Sequence, residues 1–125
     1  MKHLISAPLL ALLVSACATT ESRKAIAVPP AYVVAEIRVT DPTRYRDYLA
    51  AISPIVEKFG GTYLVRGGKT LQVEGPEPNG RVVIIQFPSF AAAQSFEEAP
   101  ESLAAGDIRH RTATSRIFVV EGAGP

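Results

Sequence analysis

From Tyr32 onward the chain alternates, with Val33, Ala35, Ile37 and Val39 on one parity and Val34, Glu36 and Arg38 on the other. A period of two gives a strand with one strictly apolar face and one mixed face. Asp41-Pro42 comes next, an N-cap residue ahead of a proline at the first helical position, where the missing N–H costs nothing. Tyr45, Tyr48, Leu49, Ile52, Ile55, Val56 and Phe59 then recur at spacings of three and four, so all seven share one stripe of a helix. Gly60-Gly61 ends that helix with a residue free to take the left-handed cap conformation. Pro54 removes one backbone hydrogen bond inside it, which predicts a bend near Ala50 to Pro54.

Thr62 to Arg66 and Thr70 to Glu74 read as strand, interrupted at Gly67-Gly68 by a bulge or tight turn. The loop Gly75-Pro76-Glu77-Pro78-Asn79-Gly80 precedes Arg81 to Phe87, a strand apolar on both faces over most of its length. Ser89 caps a second helix with Ala92, Ala93 and Phe96 inward, and Pro100 starts a further helical turn through Leu103 to about Arg111, weakened by Gly106. Ser115 to Glu121 is a final two-sided apolar strand.

Strand, helix, strand, strand, helix, strand is the order of an α+β, ferredoxin-like βαββαβ plait, a four-stranded antiparallel sheet with two helices on one face. Its other face is bare. Val82 and Ile84 point opposite to Val83 and Ile85, and Phe118 and Val120 opposite to Ile117 and Val119, so the bare face is apolar too. Such a patch calls for a partner, and the economical one is a second copy, sheet facing sheet, in a two-fold homodimer.

The region ahead of Tyr32 obeys another pattern. Lys2 and His3 lead into Leu9-Leu10-Ala11-Leu12-Leu13-Val14 and then small residues, the order of a secretory signal peptide whose apolar run is too short to span a bilayer. Val14-Ser15-Ala16-Cys17 resembles the end of a bacterial lipoprotein signal, which implies residues 1–16 as signal and Cys17 as the lipidated first residue. Cutting after Ala16 or Ala18 by an ordinary signal peptidase is the alternative. Cys17 is the only cysteine, so a disulfide within the chain is excluded, and lipidation removes a thiol that an oxidising compartment would attack. Several acyl chains make such an anchor stable, whereas one is marginal. Ala18 in place of Asp resembles the sorting pattern for the outer membrane, implying the periplasmic face of that membrane within the cell envelope. Residues 17–31, with Pro29-Pro30 and no period, read as a flexible tether, and residues 32–122 as the domain.

Removing residues 1–16 from the 125 leaves 109, enough for one small domain. Of thirteen Lys and Arg only Lys2 is lost, leaving twelve against twelve Asp and Glu. With no basic excess and no basic run, nucleic-acid binding is not indicated.

Tyr32-Val33-Val34-Ala35, Asp41-Pro42, Tyr45, Tyr48, the stretch Gly60-Gly61-x-Tyr63-Leu64-Val65-Arg66-Gly67-Gly68, Glu74-Gly75, Phe87-Pro88-Ser89 and Glu121-Gly122 together resemble the DUF1330 family of uncharacterised dimeric α/β-barrel proteins. The resemblance covers about Tyr32 to Gly122 and implies the plait and its dimer. Members often carry an aromatic pair and a Ser-Pro-Glu-Tyr motif in the second helical region, where this chain has Phe96-Glu97 and Ala99-Pro100-Glu101-Ser102. The family supplies no reaction.

Chemistry is sparse along the chain. One histidine, His110, remains after processing, so no Cys/His metal set can be assembled, and P-loop, dinucleotide and nucleophile-elbow motifs are absent. No metal and no cofactor are expected. A ligand pocket, if the domain has one, is expected on the bare face between subunits: strand parity puts Glu36, Arg38 and Gln86 there, Tyr63 and Arg66 come from the glycine-flanked strand, and His110 could reach the rim as a proton carrier. The competing reading makes Glu36, Arg38 and Arg66 edge charges or a dimer ion pair and His110, between Arg109 and Arg111, an exposed helix-end residue. Two functions follow. One is a non-catalytic, membrane-anchored module that binds a small molecule or a protein. The other is a cofactor-independent oxygenase- or isomerase-like enzyme acting on a small aromatic or carbonyl compound, by analogy of fold alone.

Overall fold

The computed structural model describes residues 3–4, 8–9, 11–12, 14–15 and 27–124. Cys17 and its lipidation lie outside the described residues, as do most of the proposed signal and tether. The domain runs β1 (Ala31–Val39), α1 (Pro42–Lys58), β2 (Thr62–Arg66), β3 (Arg81–Phe87), α2 (Phe90–Glu98), α3 (Pro100–Thr112) and β4 (Ala113–Glu121). The four strands form one antiparallel sheet in the order β2-β3-β1-β4, the ferredoxin-like plait.

Local chemistry sets the ends of the elements. Asp41 caps α1 by accepting the Arg44 N–H at 3.1 Å, and Ser89 caps α2 by accepting the Ala92 N–H at 3.0 Å. Each such cap is worth about 1 kcal/mol against alanine. At the far end of α1, Gly60 takes φ +81°, its N–H bonding to the Glu57 carbonyl at 3.0 Å and that of Gly61 to the Val56 carbonyl at 2.8 Å. That is the paired bonding of a Schellman cap, which a Cβ at the left-handed position would strain. α1 continues through Pro54 without interruption.

The second helical region is two helices rather than one with a weak extension. Ala99 lies between them in extended conformation and precedes Pro100, because a residue before proline is pushed out of the helical region. The second strand-like run of the sequence, Thr70 to Glu74, belongs to no strand, and its Leu71 and Val73 are each 86 % exposed. The chain leaves the sheet at Gly67, where φ is +72°.

Parity decides the core. Ala31, Val33, Ala35 and Ile37 of β1 and Val83, Ile85 and Phe87 of β3 pack with Tyr45, Tyr48, Ile52 and Val56 of α1 and Phe96 of α2. Phe87 and Val56 are the largest side chains with almost no exposure, and Phe87 stacks on Phe96 at 5.0 Å between ring centroids. Truncating a phenylalanine at such a site costs about 3–5 kcal/mol. The opposite parity, with Val34, Ile84, Phe118 and Val120, faces away from every helix, and Phe118 and Val120 remain 42 % and 45 % exposed.

Candidate functional site

β2 is short, and one irregularity in it determines what the site contains. Tyr63 and Arg66 are three residues apart, so an unbroken strand would send them to opposite faces. A bulge intervenes: Tyr63 pairs with Ile85, Val65 with Ile84 and Arg66 with Val83, leaving Leu64 as the extra residue. Paired residues share a face, so Tyr63 and Arg66 both join Ile85 and Val83 on the helix side.

There they border a cavity of about 90 Å³ between sheet and helices. About 10–15 Å³ of such space admits one water, so the cavity admits several waters or one small organic molecule. Its floor is apolar, from Val33, Ala35 and Ile37 of β1 with Val83 and Ile85 of β3. Its walls are not. Tyr45 and Tyr48 descend from α1, Glu97 from α2, and Ser102, Arg109 and His110 from α3, while Arg81 enters from the first position of β3.

Three guanidinium groups therefore meet one carboxyl group. Among the described residues none of Arg66, Arg81 and Arg109 has a carboxylate within 4.0 Å. Neutral groups hold two of them instead. Arg66 lies 4.2 Å from the Tyr63 ring centroid and donates from Nη2 to Ser53 Oγ at 3.1 Å. Arg109 donates from Nη1 to the Tyr48 hydroxyl at 3.2 Å and from Nε to Ser115 Oγ at 3.3 Å. Arg81 has its path cleared by Gly67, where a Cβ would stand 2.9 Å from its Nε.

Burial pushes the Glu97 carboxyl above its usual range, and the positive charge of Arg109 offsets only part of that. The Tyr48 phenol is raised, first by burial, with Arg109 opposing, and the Tyr45 phenol is raised by burial and by Tyr48, with Arg81 opposing. Both phenols therefore keep their protons at neutral pH, and Tyr48, while accepting from Arg109, still has a proton to donate. The cavity is electropositive, floored with hydrocarbon and ringed with phenols. Ser102, only 7 % exposed, has the buried side-chain oxygen that finds no hydrogen-bond partner among the described residues.

The sheet divides the candidates read from the sequence. Tyr63, Arg66 and His110 line the cavity, His110 from an exposed position at its mouth. Glu36, Arg38 and Gln86 lie on the bare face, where Glu36 is 4.0 Å from Arg116 and Arg38 donates to Asn79 at 2.8 Å. The cavity thus occupies the side of the sheet opposite to the one where the sequence put a pocket. The sequence singles out none of Glu97, Ser102, Arg81 and Arg109, and it places Tyr45 and Tyr48 only on the apolar stripe of a helix. Parity alone puts Arg81 with Val83 and Ile85, and a tyrosine on a buried stripe signals a hydroxyl that needs a partner. No periodic signal marks Glu97, Ser102 or Arg109.

Among the described residues no group of three or more His, Cys, Asp or Glu is placed to hold a metal ion, and no helix is long and apolar enough to cross a membrane.

Residues 30–123 match the family described as Domain of unknown function (DUF1330). A protein of unknown function from Rhodopseudomonas palustris is similar in structure at TM-score 0.61 and 24% identity, over 78% of this chain and 85% of that one. SnoaB, a cofactor-independent oxygenase from Streptomyces nogalater, aligns at TM-score 0.57 and 16% identity, over 78% and 97% of the two chains. A conserved protein from Methanosarcina mazei aligns at 0.52 and 10%, over 78% and 96%. These likenesses establish a common fold. No curated protein matches the chain.

Proposed function

The chain belongs to the DUF1330 family, and we propose that it is a small-molecule-binding module that takes a compact organic anion into the cavity between sheet and helices. One observation carries this reading. Arg66, Arg81 and Arg109 surround an apolar floor without a carboxylate partner within 4.0 Å among the described residues. Arg66 is exposed, whereas Arg81 and Arg109 are half-buried; guanidinium groups without an anion in such a partly dry site raise the free energy of the empty state, and a carboxylate that accepts from them relieves it. Titrating the full-length chain with benzoate and with neutral benzamide tests the reading. Benzoate should bind saturably and benzamide should not, and equal binding of the two would overturn it.

A second reading is favoured by Glu97. A carboxyl raised by burial, in one cavity with protonated Tyr45 and Tyr48, supplies a proton acceptor together with donors for a developing oxyanion, the parts that a cofactor-independent isomerase needs. Exchange of an acidic C–H of a bound keto acid in deuterium oxide, lost in Glu97→Gln, would establish it. The plait shared with SnoaB carries no activity across.

Two proposals concern assembly. The bare apolar face is covered by a second copy in a homodimer, supported by Val34, Ile84, Phe118 and Val120. The domain is held at the membrane, on the periplasmic face of the outer membrane, through lipidated Cys17 at the end of a signal of residues 1–16, followed by a tether over residues 17–31. Cys17→Ser should release the protein to the soluble fraction. Wild-type protein found soluble, with an unmodified amino terminus at another residue, would refute the anchor.

A further inference from the structure

α3 presents a single line of residues to the cavity: Ser102, then Gly106 one turn on, then Arg109. Side chains on a helix lean toward its amino terminus, so the Arg109 guanidinium lies back over Gly106, where an added Cβ would meet Nη2 at 3.6 Å. Nε and Nη1 of Arg109 are taken by Ser115 and Tyr48, whereas Nη2 has no acceptor among the described residues. Ser102 Oγ, one turn further toward the start of the helix, is buried and without a partner. Two unsatisfied polar atoms therefore belong to residues that line one cavity, about one helical turn apart, roughly 6 Å along the axis at 1.5 Å per residue. Between them is a glycine with no side chain to fill the gap.

We infer that the cavity recognises a bifunctional ligand, a compact ring-shaped monocarboxylate that carries a hydroxyl group across the ring from its carboxylate. Resting on the anion-binding reading above, the inference adds a second pole. The carboxylate accepts from Nη2 of Arg109, the ring occupies the gap over Gly106 against the phenols of Tyr45 and Tyr48, and the ligand hydroxyl pairs with Ser102 Oγ. A carboxylate and a hydroxyl at opposite positions of a six-membered ring match the spacing. Leaving Ser102 Oγ without a partner in the empty protein has a desolvation cost, which the ligand hydroxyl removes on binding. An analogue lacking the hydroxyl leaves that cost in place, and sites built in this way discriminate against such analogues.

The experiment is calorimetric titration of the full-length chain, wild type and Ser102→Ala, with benzoate, 3-hydroxybenzoate and 4-hydroxybenzoate, alongside melting curves without ligand. In the wild type 4-hydroxybenzoate should bind about tenfold tighter than benzoate, the effect of one well-made hydrogen bond. Ser102→Ala should abolish that preference and melt no lower than wild type, since it removes an unpaired buried hydroxyl. If benzoate and both hydroxybenzoates bind alike, or the preference survives in Ser102→Ala, the second pole is overturned while the anion site stands. Binding of none of the three would overturn the anion site and the second pole with it. A Ser102→Ala protein that melts lower than wild type without ligand would also overturn the assignment, because the hydroxyl would then be a structural one.

Discussion

The two faces of the sheet are built from the same four strands, yet they distribute charge in opposite ways. Under the helices, where a core is expected to be dry, three arginines, a glutamate and three tyrosines border a cavity. On the bare face, where water has free access, Val34, Ile84, Phe118 and Val120 make an apolar surface, and its charges, Glu36, Arg38 and Arg116, sit toward one end of the strands. A polar group beneath a helix layer is costly unless something satisfies it, and a hydrocarbon surface open to water is costly unless something covers it. The difference fits the two tasks proposed above, ligand recognition inside the protomer and association outside it.

The largest expected effect is on the bare face. Ile84→Lys places a charge at the centre of the proposed dimer interface, and an unpaired buried charge costs several kcal/mol, so light scattering should report a monomer or the protein should precipitate. A wild-type protein that is monomeric at micromolar concentration would break the comparison at once, since the apolar face would then be uncovered.

The next effect is inside. Arg109→Gln removes the guanidinium that Tyr48 and Ser115 hold in place, and a charge-assisted hydrogen bond is worth about 1.5–3 kcal/mol, so benzoate affinity should fall at least tenfold. Circular dichroism should show the helices intact. Unchanged affinity would move the anion away from α3.

pH sharpens the inside further. Because burial raises the Glu97 carboxyl, the folded protein binds its proton more tightly than the unfolded chain does. The contribution of Glu97 to stability is therefore fully present below its unfolded pKa and is lost as pH rises through the raised folded value. Ionised Glu97 also repels an anionic ligand, so benzoate should bind more tightly as pH falls through that value. Glu97→Gln should flatten both trends and bind benzoate more tightly than wild type above the pH at which Glu97 ionises. Parallel pH profiles for the two proteins would remove Glu97 from the site.

The smallest effect is expected from Glu36→Gln. Its partner Arg116 is 4.0 Å away and mostly exposed, and pairs of that kind contribute at most about 1 kcal/mol. Benzoate affinity should not change, because the sheet separates Glu36 from the cavity. A loss of affinity would join the two faces into one site and undo the division between them.

The plait was legible in the sequence because its signals are local and periodic. Alternation about Ala35 and Ile85, the three-and-four spacing from Tyr45 to Phe59, and the caps at Asp41, Ser89 and Gly60 each depend on neighbours within a turn or a strand. The apolar character of both parities in β3 and β4 was equally plain, and it pointed to a surface in need of a cover. Thr70 to Glu74 shows the limit of such reading: its alternation suits a strand, but no neighbouring strand pairs with it.

Which polar groups meet in one site was decided by tertiary structure. A bulge at Leu64 carries Arg66 to the side of Tyr63, and whether a strand bulges depends on the partner across from it as well as on its own residues. Arg109 and Tyr48, 61 positions apart, meet because α1 and α3 cover the same face of the sheet. Glu97, Ser102 and Arg109 follow no period that would mark them, and only the packing of α2 and α3 over the sheet turns them toward one cavity. Sequence periodicity fixes which face of each element is buried, since that depends on the helical and strand repeats; it does not fix which polar groups the burial brings together, since that depends on how the faces meet.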